Sequence, residues 1–258
     1  FHNLPDIVVD ALSTNHYSRG ESDISITSLI DSPRVKLLQE KHNEEMEQDV
    51  SEMIWSSFGT AVHHLFEERA GTQGEDVISE ERIFAESNGW TISGAIDLQQ
   101  IEDGAVIISD YKVTSVWSVI FGKKEWETQL NCYAGLVRMA KQMPVKELRI
   151  IAVLRDWQRR KAQMEDTYPQ SPITVVNIPM WSEQEAFDYL DSRVKLHQSA
   201  SFEAQTNGVL PQCSPQERWQ KDTTYAVMKK NRVRAIKIHT VEEEAESHAS
   251  SLGKDHFI

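Results

Sequence analysis

Residues 94–112 read GAIDLQQIEDGAVIISDYK. Asp103-Gly104 lies between two runs rich in Ile and Val, and a two-residue type I′ turn needs positive φ at both central positions, which Asp-Gly tolerates. The stretch therefore reads as a β-hairpin turning at 103–104. Counting outward, Glu102 faces Ala105, Ile101 faces Val106 and Asp97 faces Asp110. Strand period two places Lys112 on the face of Asp110. Directly opposed residues have Cβ atoms ~4.5–5.5 Å apart, where two carboxylates repel unless something positive sits between them. Such a pair is poor for stability. It is well suited to binding Mg²⁺ or Mn²⁺ through hard oxygen ligands, beside a lysine able to position or activate water or to stabilise charge on a phosphate. Spacing alone leaves open a solvated face on which Lys112 is an ordinary partner of Asp110, because a one-residue slip changes every pair.

On the N-terminal side, Met53, Ile54, Phe58, Val62, Leu65 and Phe66 recur at helical spacing, so 50–69 reads as one long amphipathic helix ending at Gly71. Gly59, His63 and Glu67 fall at i, i+4 and i+8, one stripe on which Gly59 leaves room for a neighbour. His63 can ligate a metal through neutral imidazole, and Glu67 can orient it or bind a second ion. His64 points about 100° away around the helix. HHLFEE is not the H-E-x-x-H of zinc peptidases. On the C-terminal side a helix is expected over 125–142, stopped by Pro144. It carries Gln129 and Tyr133 at i and i+4, either a pair for holding a phosphate or a base, or a partly buried helix face.

Strands are expected at 77–85, 90–101, 105–113, 148–154 and 173–179, and 25–38 reads as a short capped helix interrupted by Pro33. Ser182 caps a helix running to about 206. After Pro211 come a small hairpin and a helix opened by a Thr240/Glu243 capping box. This order implies an α/β fold with a central mixed β-sheet flanked by helices over 1–210, and a C-terminal hairpin-and-helix appendage over 211–258.

The chain has 258 residues, 40% hydrophobic and 26% charged, the balance of a globular protein. No apolar run approaches the ~20 residues that span a bilayer, so no membrane association is expected. Cys132 and Cys213 are too few for a disulfide framework or a four-thiolate site within the chain, which points to a reducing cytoplasm. No basic-then-apolar leader is visible at the start, so no signal peptide is expected. A net charge of -13, from 27 Lys and Arg against 40 Asp and Glu, opposes an anionic partner. Metal ions on clustered carboxylates and locally concentrated basic residues can reverse that inference. Arg155, Arg159, Arg160 and Lys161 form one basic cluster. Lys229, Lys230, Arg232, Arg234 and Lys237 form another. With Trp157 and Tyr225 among them, either cluster suits a phosphate backbone and stacked bases, or is a solvated loop.

Taken together, GTAVHHLFE (59–67), GAID (94–97), ISDYK (108–112) and QLNCY (129–133) resemble, in order and spacing, the G-x-x-x-H, G-x-x-D, D-x-K and Q-x-x-x-Y motifs of one family. That family is the RecB-like branch of the PD-(D/E)XK nucleases. The resemblance covers roughly 25–155 and implies a restriction-endonuclease-like core. It further implies His63, Asp97, Asp110 and the carbonyl of Tyr111 as ligands of Mg²⁺ or Mn²⁺, and Asp97, Asp110 and Lys112 as catalytic residues. Gln129 and Tyr133 would be the branch's DNA-contacting pair, joined by Arg159, Arg160, Lys229, Lys230, Arg232 and Arg234. Ser32 stands where iron-sulfur members carry a cysteine before Pro, which argues against a cluster ligand there. The tail, CSPQERW with YAVMKKNRVRAIKI, resembles bacteriophage exonucleases of this branch. Cys213 then reads as a plain buried thiol or as one ligand of a site completed beyond Ile258. The implied activity is a DNA exonuclease of phage recombination or replication, with a recombination or single-strand-binding protein as partner. The alternatives are an endonuclease or single-strand nuclease of the CRISPR-adaptation type, and a DNA-binding subunit without catalysis.

Overall fold

Asp103 and Gly104 take φ of 53° and 77°, the two positive values a type I′ turn requires. They join β3 (Trp90–Glu102) to β4 (Ala105–Thr114) in the counted register, from Glu102↔Ala105 to Leu98↔Ser109. Asn88 and Gly89, at 48° and 75°, make the equivalent turn between β2 (Val77–Ser87) and β3. In this computed structural model, which describes residues 3–13 and 20–258, the chain divides into two units, Phe1–Gln212 and Cys213–Ile258.

The first unit is an α/β fold around a mixed six-stranded sheet. β1 (Ile24–Ser25) runs parallel to β3, and β4 runs parallel to β5 (Val145–Leu154). The pairs β2/β3, β3/β4 and β5/β6 (Ile173–Ile178) are antiparallel. Helices cover the sheet. α2 (Ile26–Ile30), α6 (Lys124–Lys141) and α8 (Glu183–Asn207) join the large core through Ile26, Leu29, Leu130, Leu136, Leu190 and Val194. A fully buried Leu contributes roughly 1.5–3 kcal/mol, so this layer carries most of the packing. α4 (Ile54–Ala70) meets the sheet in a smaller cluster of Phe66 and Ala70 with Leu98 and Tyr111.

The expected cap at Ser182 is present, and Glu185 completes a capping box there that the sequence reading did not include. Other expectations are corrected. The helix read as continuous from 50 begins as a 3-10 turn over Val50–Met53, and its apolar stripe is largely unburied, with Ile54, Phe58 and Leu65 exposed. The short elements α1 (Asp6–Ser13), α3 (Pro33–His42, after the break at Pro33), α5 (Val116–Phe121) and α7 (Arg159–Ala162) lack a long periodic pattern, and β1 is two residues held by pairing alone.

The second unit holds a hairpin of β7 (Tyr225–Lys229) and β8 (Lys237–His239), with β9 (His256–Phe257) on the other edge of β7. Its helix α9 (Glu242–Leu252) starts at Val241 without a side-chain cap, so the Thr240/Glu243 box does not form. Cys213 is half-buried. Among the described residues, no helix is long and apolar enough to cross a membrane.

His197 on α8 is buried and donates through Nε2 to the carbonyl of Leu29, 3.1 Å away, tying α8 to α2. Burial, with the charges of Arg193 and Lys36, holds its pKa at about 4 against an ordinary 6.5. The unfolded chain binds a proton between these values and the native state does not, so stability is retained above 6.5 and falls as pH drops toward 4. His197→Gln can keep the donor and cannot titrate. The stability difference between wild type and this variant, followed by urea unfolding from pH 7.5 to 5, should shift steadily against wild type below about pH 6.5. A pH-independent difference would show that His197 is not held neutral.

Candidate functional site

Residues 94–97 fill a gap along one edge of β3. The ladder with β1 ends at Ser93, and the ladder with β4 begins at Leu98. Gly94 is required by the helix above it: a Cβ there would lie 2.7 Å from Cε1 of Tyr133 and 2.9 Å from Cδ1 of Leu136. Only glycine lets α6 come this close to the strand. On the other edge, pairing with β2 steps from Ser79↔Leu98 to Glu81↔Ile96, passing over Glu80 and Asp97. Glu80 sits at φ 50°, a left-handed conformation that costs a non-glycine residue on the order of 1–2 kcal/mol. Gly94 and Gln99 both meet α6, through Tyr133 and through Lys141. An odd spacing in a regular strand would put them on opposite faces, so the alternation breaks between them, in the stretch that holds Asp97.

Asp97 uses this break. Its Oδ2 accepts the N–H of Tyr111 at 2.7 Å, standing in for the next rung of the hairpin ladder, while its Oδ1 lies 3.7 Å from Nδ1 of His63. The expected opposition of Asp97 and Asp110 thus stops one step short of a ladder pair. Asp110 is gripped differently: Oδ2 is 2.7 Å from Nζ of Lys112, and Oδ1 accepts from Nε2 of Gln129 at 3.2 Å. The same Gln129 amide donates to the hydroxyl of Tyr133 at 2.8 Å. From α4, His63 places Nε2 3.1 Å from the carbonyl of Tyr111 and Nδ1 3.2 Å from Oε1 of Glu80. Helices from both layers therefore converge on the gap. Together with Arg82, Ser25 and Thr27 these side chains line a cavity of about 460 Å³.

The electrostatics follow from burial. Asp97 is pushed up to about 7, first by burial and then by the charge of Asp110, against the pull of His63, the Tyr111 amide and Lys112. Burial pulls His63 down, but the hydrogen bond to Glu80 and the charges of Asp97, Glu80 and Asp110 outweigh it and hold the ring at about 9. Both ring nitrogens face acceptors, as suits an imidazolium. For Lys112 too, burial opposes the charge, and Asp110 with Asp97 reverses the balance upward.

His63, Glu80 and Asp97 each place one ligand atom within 4.8 Å of the others. The donor set suits a hard divalent cation: carboxylate oxygens, a backbone carbonyl and an imidazole, with excess negative charge that a cation would relieve. Glu80 was not legible in the sequence, since nothing in VISEER marks one glutamate as inward-facing. Glu67, expected to assist His63, instead lies 3.5 Å from His64 at the surface, and a Cβ on Gly59 would meet nothing within 4 Å.

Arg159 and Arg160 are exposed on α7, and Lys229, Lys230, Arg232 and Arg234 are exposed in the second unit. The aromatics expected among them are not free surfaces. Trp157 packs against the core and donates to the carbonyl of Pro169 at 2.7 Å, and Tyr225 packs against Val227, Ala245 and Ala249.

No protein-family model matches the chain, and no curated protein matches it. Among solved structures it is similar to SSO0001, with 15% identity and a TM-score of 0.49, over 74% of this chain and 85% of that one. It is also similar to a protein from Eubacterium rectale provisionally named an exonuclease, with 12% identity and a TM-score of 0.34, over 76% of this chain and 77% of that one.

The two adjacent histidines separate a liganding role from a surface one, because the side chain of His64 is 80% exposed. Saturating Mn²⁺ at 100 times its Kd should stabilise the native state by about 2.7 kcal/mol. In thermal unfolding His64→Ala should keep that stabilisation, Glu80→Gln should reduce it and His63→Ala should lose it. Equal Mn²⁺ shifts in His63→Ala and His64→Ala would remove His63 from the ligand set.

Proposed function

We propose that this chain is a divalent-metal-dependent DNA nuclease of the RecB-like PD-(D/E)XK type, acting as an exonuclease in phage recombination or replication. The observation that carries this reading is the convergence in one cleft of His63, Asp97, Asp110, Lys112, Gln129 and Tyr133. Those residues come from four separate motifs.

His63, Asp97, Asp110 and the carbonyl of Tyr111 would hold the ion, and Glu80 is positioned to add a carboxylate. Mg²⁺ or Mn²⁺, when bound, supplies charge neutralisation at the phosphodiester and acidifies the attacking water. Lys112, fixed by Asp110, offers an ammonium group to the phosphate or orients the water. Gln129 and Tyr133 share a hydrogen bond on the wall of the cleft, and they place an amide and a phenol hydroxyl where a DNA backbone would run. The phosphorus gains an oxygen from water as one ester P–O bond breaks. Such a nuclease would work in the cytoplasm with DNA and with a recombination or single-strand-binding protein.

Linear and covalently closed circular DNA incubated with Mg²⁺ test the reading. Wild type should degrade the linear form and spare circles, and EDTA should stop it. Asp110→Ala and Lys112→Ala should each lose at least about a hundredfold in rate, the scale expected when one charge-stabilising group at the reacting centre is removed. Nicked circles would establish the endonuclease alternative. Binding without cleavage of either form would establish the non-catalytic one.

A protein of net charge -13 needs a local positive surface to meet DNA. Replacing Lys229, Lys230, Arg232 and Arg234 together with Gln should weaken DNA binding in Ca²⁺ most at low salt. It should also flatten the plot of log affinity against log salt by about 0.9 for each phosphate that is no longer neutralised. An unchanged slope would assign the DNA path to Arg155, Arg159, Arg160 and Lys161 instead.

A further inference from the structure

The segment that follows the D-x-K strand presents an aromatic pair to solvent. Trp117 and Phe121, at i and i+4 on α5, are 54% and 79% exposed, and their rings stack at 5.6 Å with 13° between planes. Single exposed hydrophobics are ordinary, but a preformed stack on a firmly anchored element is not. Val116, beside Trp117, is buried, and its N–H donates to Oδ1 of Asp156 at 2.7 Å. Thr114 Oγ1 donates to Ser118 Oγ at 2.8 Å. The helix is pinned while its two rings face water.

Cationic side chains lie in the segments that adjoin it, among acids. The N–H of Arg155 donates to the carbonyl of Thr114 at 3.0 Å, and its guanidinium lies 4.9 Å above the ring of Trp55, itself 56% exposed. Trp55 belongs to α4, eight residues and so about 12 Å along the helix from His63. Trp117 lies five residues beyond Lys112, at most about 17 Å of chain. Lys123 and Lys124 follow α5 after Gly122 and are both exposed, with Lys124 in an ion pair with Glu127 at 2.8 Å.

We propose that Trp117 and Phe121, with the Arg155–Trp55 pair beside them, form a platform on which unpaired bases of single-stranded DNA stack as the strand runs to the cleft. The proposal rests on the nuclease reading and adds a substrate form to it. The occupant follows from the chemistry present. Flat aromatic faces accept any base, and the guanidinium of Arg155 and the exposed ammonium of Lys123, in the adjoining segments, suit the phosphates between bases. Paired bases are already stacked on their own neighbours and cannot offer their faces, which selects the single strand.

The test uses full-length protein in Ca²⁺, fluorescent single-stranded oligonucleotides, and matched oligonucleotides carrying abasic sites at successive positions. Aromatic–base stacking is worth ~1–3 kcal/mol per base, so an abasic site at the stacked position should weaken wild-type binding roughly 5- to 150-fold. Trp117→Ala/Phe121→Ala should bind the intact strand that much more weakly and show no further abasic penalty. Trp117→Tyr/Phe121→Tyr should retain it, which separates stacking from misfolding. The same abasic penalty in wild type and the double alanine variant would overturn the platform. So would failure of wild type to bind single strands, or a lower sedimenting mass on removing the rings, which would make this face a contact between copies. None of these readings involves cleavage, so a wild type inert in Mg²⁺ would overturn the nuclease reading separately.

Discussion

Asp97 and Asp110 are carboxylates taken out of water within reach of each other, and the surrounding structure is organised around making that tolerable. Burial drives Asp97 toward the protonated form, and the charge of Asp110 adds to it. The chain answers with fixed positive groups and donors: Lys112 and Gln129 on Asp110, the Tyr111 amide and His63 near Asp97. Asp97 still sits at about 7, so the compensation is incomplete. A site left short of positive charge is one that a cation would relieve.

The backbone supplies the space. Where β1 stops and β4 starts, residues 94–97 are relieved of ladder pairing on one edge, and Asp97 can turn its carboxylate to a backbone amide instead. Gly94 admits Tyr133 at the same point, so the helix that brings Gln129 is seated by the motif that carries Asp97. Opposite, Glu80 accepts an unfavourable φ to point at His63. Strain at a functional position persists only where surrounding packing over-determines it, and the long β2/β3 ladder on either side does so.

The chain carries two further kinds of surface besides the cleft. The basic side chains are exposed and act mainly through long-range attraction, which salt screens. The aromatic stack on α5, a helix anchored through Val116, acts only at short range. If the first brings a strand in and the second orders its bases, affinity and positioning are divided between chemically different elements. That division suits an acidic protein whose cleft is itself lined by carboxylates.

Local signals made much of this legible. Asp-Gly requires a turn with positive φ, so the register of β3 and β4, and with it the neighbourhood of Asp97, Asp110 and Lys112, follows from the chain alone. Helical period placed His63 apart from His64 and put Gln129 with Tyr133. Glu80 could not be found this way, because its role depends on a break in strand alternation and on α4 packing across the sheet, contacts between residues 17 apart in sequence. The pairing of Glu67 with His63 failed for the same reason: a stripe on a helix says which residues are together, not which of them faces the sheet. The half-burial of Trp157 and the exposure of Trp117 and Phe121 were likewise decided only by packing, since a loop or a six-residue helix carries too little periodicity to show which way its aromatic residues point.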